Sequence, residues 1–202
     1  MSPRGRPRTF DRGKALHAAM VVFWERGFEA ASMSDLTQAM GINSPSLYAA
    51  FKSKEDLFRE AIELYENTEA QGARRALAEE PTARDAIEAL LRESVLSFTA
   101  EGKPSGCMIV LAATNCTSDH ETIRDFALRC RKRTEVAIQA RLDRGVAEGD
   151  LRPGTDTRRV TTFYGTLLNG LSVQARDGST RDQLHAVVDM AMAAWDAPQP
   201  VG

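Results

Sequence analysis

Helix-opening signals recur along this chain at intervals that leave room for little else. Ser32-x-x-Asp35, Ser53-x-x-Asp56, Thr82-x-x-Asp85, Ser118-x-x-Glu121 and Ser179-x-x-Asp182 each set a hydroxyl three residues ahead of a carboxylate. That spacing lets the two side chains satisfy backbone N–H groups that a helix start leaves unpaired. Apolar residues between these signals repeat at helical spacing. Leu16, Ala19, Met20, Phe23 and Trp24 run up to Gly27, and Leu36, Ala39 and Met40 run up to Gly41. Leu57, Phe58, Ala61, Ile62 and Tyr65 share one face of a helix expected over 54–71. Breaks fall at "EGKPSG" (101–106) and "EGDLRPGTD" (148–156), and no alternating strand pattern of convincing length or internal repeat interrupts the series. The reading is an all-α chain of about nine helices.

With 43% apolar and 27% charged residues in 202, the chain can bury one substantial core or a small domain fused to a larger one. Its longest apolar run is "MIVLAA" at 108–113, so no membrane-spanning segment is expected. The start "MSPRGRPRTFD" is basic, but no apolar run follows, so no signal peptide is expected either. Cys107, Cys116 and Cys130 are too few for a disulfide framework, and a cytoplasmic location follows as the default. The formal charge of −2 is unevenly spread: Arg4, Arg6, Arg8, Arg12 and Lys14 against Asp11 give the first fourteen residues +4, leaving −6 on the rest. A basic arm on a mildly acidic body points to a local anionic partner.

The segment "NSPSLYAAFKSKEDLF" (43–58) says what that partner is. Residues 33–40, a turn at Gly41-Ile42-Asn43 and residues 45–51 form a helix-turn-helix, with Ser44 capping the second helix and Pro45 in its first turn. Leu36, Ala39, Ile42, Leu47 and Phe51 are expected to hold the pair together. Ser44, Ser46, Tyr48, Ala49 and Ala50 are then left outside. Short side chains let such a helix sink into a major groove, where its first residues, Ser44 and Ser46, reach base edges. The Tyr48 hydroxyl, Lys52 and Lys54 are placed to meet phosphates. The same outline also suits an ordinary αα corner with solvated lysines. Its coincidence with the basic arm favours DNA.

Residues 15–62 resemble the DNA-binding domain of the TetR family of transcriptional regulators, through "FWERGFEAASM", "LTQAMGI" and "SLYAAFKSKEDLF". The remainder is similar in outline, through "SGCMIVLAA" and "EGDLRPGTD". The resemblance implies a basic arm and helix-turn-helix domain over 1–53. It implies a ligand-sensing, dimerising domain over 54–202, a homodimer, a pseudo-palindromic operator, and repression relieved by a small molecule. Carried onto this chain, it gives Ser34, Ser44, Ser46, Tyr48, Lys52 and Lys54 as DNA contacts. Ala49 and Ala50 stand where many members have an aromatic residue and a His. The arm "PRGRPR" resembles the core of an AT-hook, which would set Arg4, Arg6 and Arg8 in an A·T-rich minor groove. A basic tail touching phosphates without fixed geometry is the alternative.

Other functions find less support. His17, His120 and His185 lie far apart, no Gly-rich phosphate loop appears, and no nucleophile–base set is visible, so no enzyme, cofactor or metal is expected. Cys116-x-x-x-His120 is half a metal site without partners. Cys107, after Gly106 at a helix start, offers a redox-sensing alternative if that position lowers its pKa; otherwise it is a small buried hydrophobe. A protein-binding adaptor would need an apolar groove in place of the basic face, and the sign of regulation stays open between repressor and activator. An apolar effector pocket is expected among the helices of 82–177. Its expected liners are Phe98, Met108, Leu111, Phe126, Phe163 and Leu167, with Asn169 or Thr114 as the orienting polar group. The dimer is expected on helices 156–177 and 180–195. These carry stripes of Val160, Phe163, Tyr164, Leu167, Leu168 and Leu171, and of Leu184, Val187, Val188, Ala191 and Trp195.

Overall fold

A computed structural model describes residues 10–112, 117 and 120–196. Ten helices and no strands occur among them: α1 (Arg12–Ala30), α2 (Met33–Met40), α3 (Ser44–Phe51), α4 (Lys54–Asn67), α5 (Gln71–Glu79), α6 (Ala83–Phe98), α7 (Met108–Leu111), α8 (Glu121–Glu148), α9 (Thr157–Arg176) and α10 (Arg181–Asp196). The all-α reading holds. The helix expected over 54–71 is shorter, because Thr68 turns its hydroxyl back onto the Leu64 carbonyl (2.8 Å) and the chain breaks before resuming as α5.

The local signals account for most helix starts. Ser32 accepts from the Asp35 N–H (3.1 Å), and Asp35 accepts from the Ser32 N–H (3.0 Å), closing a capping box. Ser53 and Thr82 each accept from the N–H three residues on, both at 3.0 Å. Two expectations are displaced by one residue. Asn43, not Ser44, caps α3 by accepting from the Ser46 N–H at 2.9 Å, and Pro45 sits in the first turn. Thr180, not Ser179, opens α10: its N–H donates to Gln183 Oε1 (2.8 Å), a longer side chain that reaches back where Asp182 does not. Ser118 lies outside the described residues.

Two cores fill the molecule. The first is aromatic: Phe23, Trp24 and Phe28 of α1 meet Phe58 and Tyr65 of α4, with Phe23–Phe58 and Trp24–Tyr65 ring centroids 5.1 and 5.0 Å apart, both edge-on. It includes Leu36, Leu47 and Phe51 of α2 and α3, and it runs on into Met108, Ile109, Ile123 and Ala127 of α7 and α8. The second joins α5, α6, α8, α9 and α10 through Leu90, Val95, Ile138, Leu142, Leu168 and Val188. Cys107 packs against both.

The seam between the cores is made of hydrogen bonds to α1. The Trp24 indole N–H donates to the Gly106 carbonyl at 2.9 Å, fully buried. Phe28 N–H donates to the Ala112 carbonyl at 2.7 Å, just past a kink at Gly27. Arg176, the last residue of α9, donates to the Trp24 and Glu25 carbonyls (2.7 and 3.0 Å). Gly106 has to be glycine here. Its φ is +78°, and a Cβ would lie 2.6 Å from the Ser172 carbonyl oxygen. Trp24→Phe leaves that carbonyl without its donor in a dry site. The expected loss of unfolding free energy is ~1–3 kcal/mol for the orphaned group alone, measured by urea denaturation; an unchanged midpoint would mean water replaces the indole.

Candidate DNA-reading face and effector cavity

The reading face is built from α2, α3 and the turn after α3. Gly41 ends α2 in the left-handed region (φ 65°, ψ 30°), and its N–H returns to the Gln38 carbonyl, which redirects the chain through Ile42 to Asn43. Leu36, Leu47 and Phe51 are buried and Ile42 is half-buried, so four of the five expected contacts hold the helix pair. Ala39 does not. It is exposed, and Met40, one residue on, fills the interior instead. Asp35 ties this unit to α1 through Arg26 (2.7 Å). Its carboxyl is held below the usual carboxylate range by the Ser32 hydrogen bonds first and Arg26 second, so this tie persists until pH falls below the ordinary carboxylate pKa.

On α3, Ser44 and Ala49 are exposed, Tyr48 is 50% exposed, and Ser46 and Ala50 are half-buried. Ser34 is exposed one turn into α2. Lys52 follows in a conformation L-residues rarely adopt, φ 66° and ψ −57°. The Ser53 N–H bonds across it to the Phe51 carbonyl (2.8 Å), making a strained γ-turn that ends the reading helix abruptly and throws the Lys52 side chain outward. Lys54, half-buried in the first turn of α4, sets its ammonium over the Phe28 ring, 4.5 Å from the centroid. Ser34, Ser44, Ser46, Tyr48, Lys52 and Lys54 thus belong to α2, α3, the turn after α3 and the head of α4. Arg4, Arg6 and Arg8 lie outside the described residues. Arg12, counted above with the arm, is the first residue of α1 and is engaged inward, 2.7 Å from Glu60 and over the Phe51 ring at 4.3 Å.

The body holds a cavity of about 610 Å³ between α4, α5, α6, α7, α8 and α9. Of the expected liners, Phe98 and Asn169 reach it. Met108, Leu111, Phe126, Phe163 and Leu167 do not line it, and Thr114 lies outside the described residues. Met108 is fully buried in the first core, Phe126 stands edge-on to Phe58 there, and Phe163 is half exposed on the far side of α9. Leu77, Leu90, Ile109, Ile138 and Leu168 form the apolar wall instead, and Tyr65, Cys107 and Arg141 add polar atoms. The Tyr65 hydroxyl and the Cys107 thiol lie side by side in this wall and influence one another. Burial pushes the Cys107 thiol above its ordinary pKa, outweighing the Tyr65 hydroxyl and the α7 amides beyond it. The direction of this shift supports the reading of Cys107 as a small buried hydrophobe over the redox-sensing alternative.

A helix-turn-helix whose following helix runs on into a cavity-bearing body is the architecture of a helix-turn-helix transcriptional regulator. Sequence comparison makes the class specific. The family description "Bacterial regulatory proteins, tetR family" matches residues 15–61, and "Tetracyclin repressor-like, C-terminal domain" matches residues 83–191. The chain belongs to the TetR family. It is 32% identical over 196 residues to the transcriptional repressor ComR of Escherichia coli K12, spanning 95% of this chain and 92% of that one. It is 34% identical over 187 residues to the repressor BdcR of the same organism, spanning 93% and 90%. Among solved structures, a cysteine mutant of the TetR family regulator CifR complexed with 26-base-pair operator DNA superposes with a TM-score of 0.91 at 48% identity, covering 94% of this chain and all of that one. No helix among the described residues is long and apolar enough to cross a membrane.

The γ-turn at Lys52 can be tested apart from any ligand. Lys52→Gly removes the positive-φ penalty and should raise unfolding free energy by ~0.5–1 kcal/mol after the glycine's own entropic cost. Lys52→Ala, keeping a Cβ, should not. Chemical denaturation of both variants reads the difference, and equal midpoints would place Lys52 in an ordinary turn.

Proposed function

We propose that the protein is a homodimeric, ligand-responsive repressor that leaves a pseudo-palindromic operator when a small molecule fills the body cavity. One observation carries the reading. α4 begins at Lys54 beside the reading helix, and its last turns, Tyr65 and Glu66, line the cavity. A ligand that displaces the cavity walls moves the same rod that carries the reading helix. Ser44 and Ser46 face base edges, while Ser34, Tyr48, Lys52 and Lys54 hold phosphates. Arg4, Arg6 and Arg8 add an arm contact in an A·T-rich minor groove. The repressors ComR and BdcR and the operator-bound CifR support the assignment of DNA and of repression.

The two-fold interface falls on α9 and α10. Tyr164, Leu168, Leu171, Leu184, Val188 and Ala191 fill the subunit's own core, whereas Phe163, Gly170, Val187, Met190 and Ala194 stay exposed, Met190 by 77%. Apolar side chains left out along two adjacent helices, with a glycine permitting close approach, suit a four-helix bundle with a second copy. We place the protein in the cytoplasm and assign it no enzymatic step.

DNA contacts should separate by role. Tyr48→Phe, Lys52→Ala and Lys54→Ala should each weaken binding to all sequences similarly, and each lysine should flatten the salt dependence by about one unit. Substitutions at Ser44 or Ser46 should change which bases are preferred. Fluorescence anisotropy on fragments of the gene's own upstream DNA measures both, and lysine variants with the parent's affinity and salt slope would refute this docking. Met190→Glu should shift sedimentation toward the monomer and take DNA affinity with it. A monomeric variant with full affinity would place the interface elsewhere.

A further inference from the structure

Arg141 is buried without adequate compensation, and it is buried in the wall of the cavity. It lies on α8 at 3% exposure, in a stripe otherwise made of Ile138, Leu142 and Gly145. One nitrogen, Nη2, donates to the Glu80 carbonyl at the end of α5, at a long 3.3 Å. Nε and Nη1 have no protein partner. The nearest carboxylate, Asp150, stands 3.9 Å away, and the oxygen at that distance already accepts the Ala83 N–H at the start of α6. Burial depresses the guanidinium's pKa, and the neighbouring Arg144 adds to that more than Asp150 offsets it. A guanidinium stays charged in any protein, so two of its nitrogens are buried as charged donors without a protein acceptor.

The acids around the cavity do not supply that acceptor. Glu66 is held by Arg133 and Glu69 by Lys103, both at 2.6 Å, and Glu135 by Lys132 at 2.6 Å. Arg144, also in the cavity wall, adds a second positive charge, and Leu77, Leu90 and Ile138 supply apolar surface. A volume of about 610 Å³ falls in the ordinary range for small-molecule sites.

We infer that the effector of this cavity is an amphipathic carboxylate, its head group taken by the two open donors of Arg141 and its hydrocarbon or aryl body by the apolar wall. The inference rests on the regulator reading above and names the chemistry of its ligand. A carboxylate supplies an acceptor for each open nitrogen and the charge that the site lacks, in a setting where charge-assisted hydrogen bonds are strong. The corresponding alcohol brings one hydroxyl and no charge, and an alkylammonium would set like charges together.

Matched probes test this: decanoate against decanol, and 2-naphthoate against 2-naphthol, each titrated calorimetrically into the full-length protein. At least one carboxylate should bind about ten-fold or more tightly than its alcohol, the scale of a hydrogen bond to a charged group. In Arg141→Met, which keeps the volume and drops the charge, the preference should collapse to within about two-fold, with unfolding still cooperative. Arg141→Lys, which keeps the charge with fewer donors, should fall between. Should the Met variant fail to fold, the parent's carboxylate preference and its reduction in the Lys variant decide the matter. Equal affinity for acid and alcohol, no binding of either carboxylate at millimolar concentration, or a preference that survives Arg141→Met overturns the inference. The DNA affinity of the ligand-free parent, read in the same preparations, reports on the regulator reading alone, so the two can fail separately.

Discussion

The indole N–H of Trp24 has a single carbonyl to go to, and the geometry of the molecule follows from that bond. The Gly106 carbonyl is presented by a backbone that passes so close to Ser172 that no side chain fits. The next residue gives its N–H to the Ser172 hydroxyl at 2.8 Å. α1, the α6–α7 loop and α9 are thereby pinned at one place, and Arg176 repeats the connection one turn further on. The reading unit is consequently not a bead on a linker. Its aromatic core continues into α7 and the head of α8, so a rearrangement of the body has a packed route to the reading helix.

That continuity sets what a ligand can achieve. Coupling between sites is typically ~1–3 kcal/mol, enough to weaken DNA binding ~5–150-fold. A stiff seam transmits displacement but also resists it. Release therefore depends on how much better the ligand fits the displaced arrangement than the resting one, not on its overall affinity.

Features decided within one helical turn were legible in the sequence. Ser32 with Asp35, Ser53 with Asp56 and Thr82 with Asp85 cap helices because both partners are neighbours in the chain. At 179–183 two hydroxyls compete, and Thr180 with Gln183 prevails over Ser179 with Asp182 because only the longer amide closes the box. The side chains proposed to meet DNA, Tyr48 and Lys52 among them, could be picked out because a reading face is what an α2–α3 pair leaves outside. The cavity was mostly illegible. Met108 and Phe126 carry the same apolar signature as Leu90 and Ile138, and only packing decides which residues fill a core and which border a void. Arg141 did leave a trace: it interrupts a buried stripe at Ile138, Leu142 and Gly145, where a charge has no structural reason to be.

The uneven charge described at the outset also governs kinetics. With +4 on the first fourteen residues and −6 on the rest, the charge is divided along the sequence, its basic part directly preceding α1 and the reading unit. Near a polyanion such a molecule experiences torque as well as attraction: the acidic body is repelled while the basic end is drawn in. Encounters begin already oriented, so fewer collisions are wasted on the wrong face. The hold on a random sequence is then set by the few cations that reach phosphates, while the acidic remainder of the chain discourages contact through any other face.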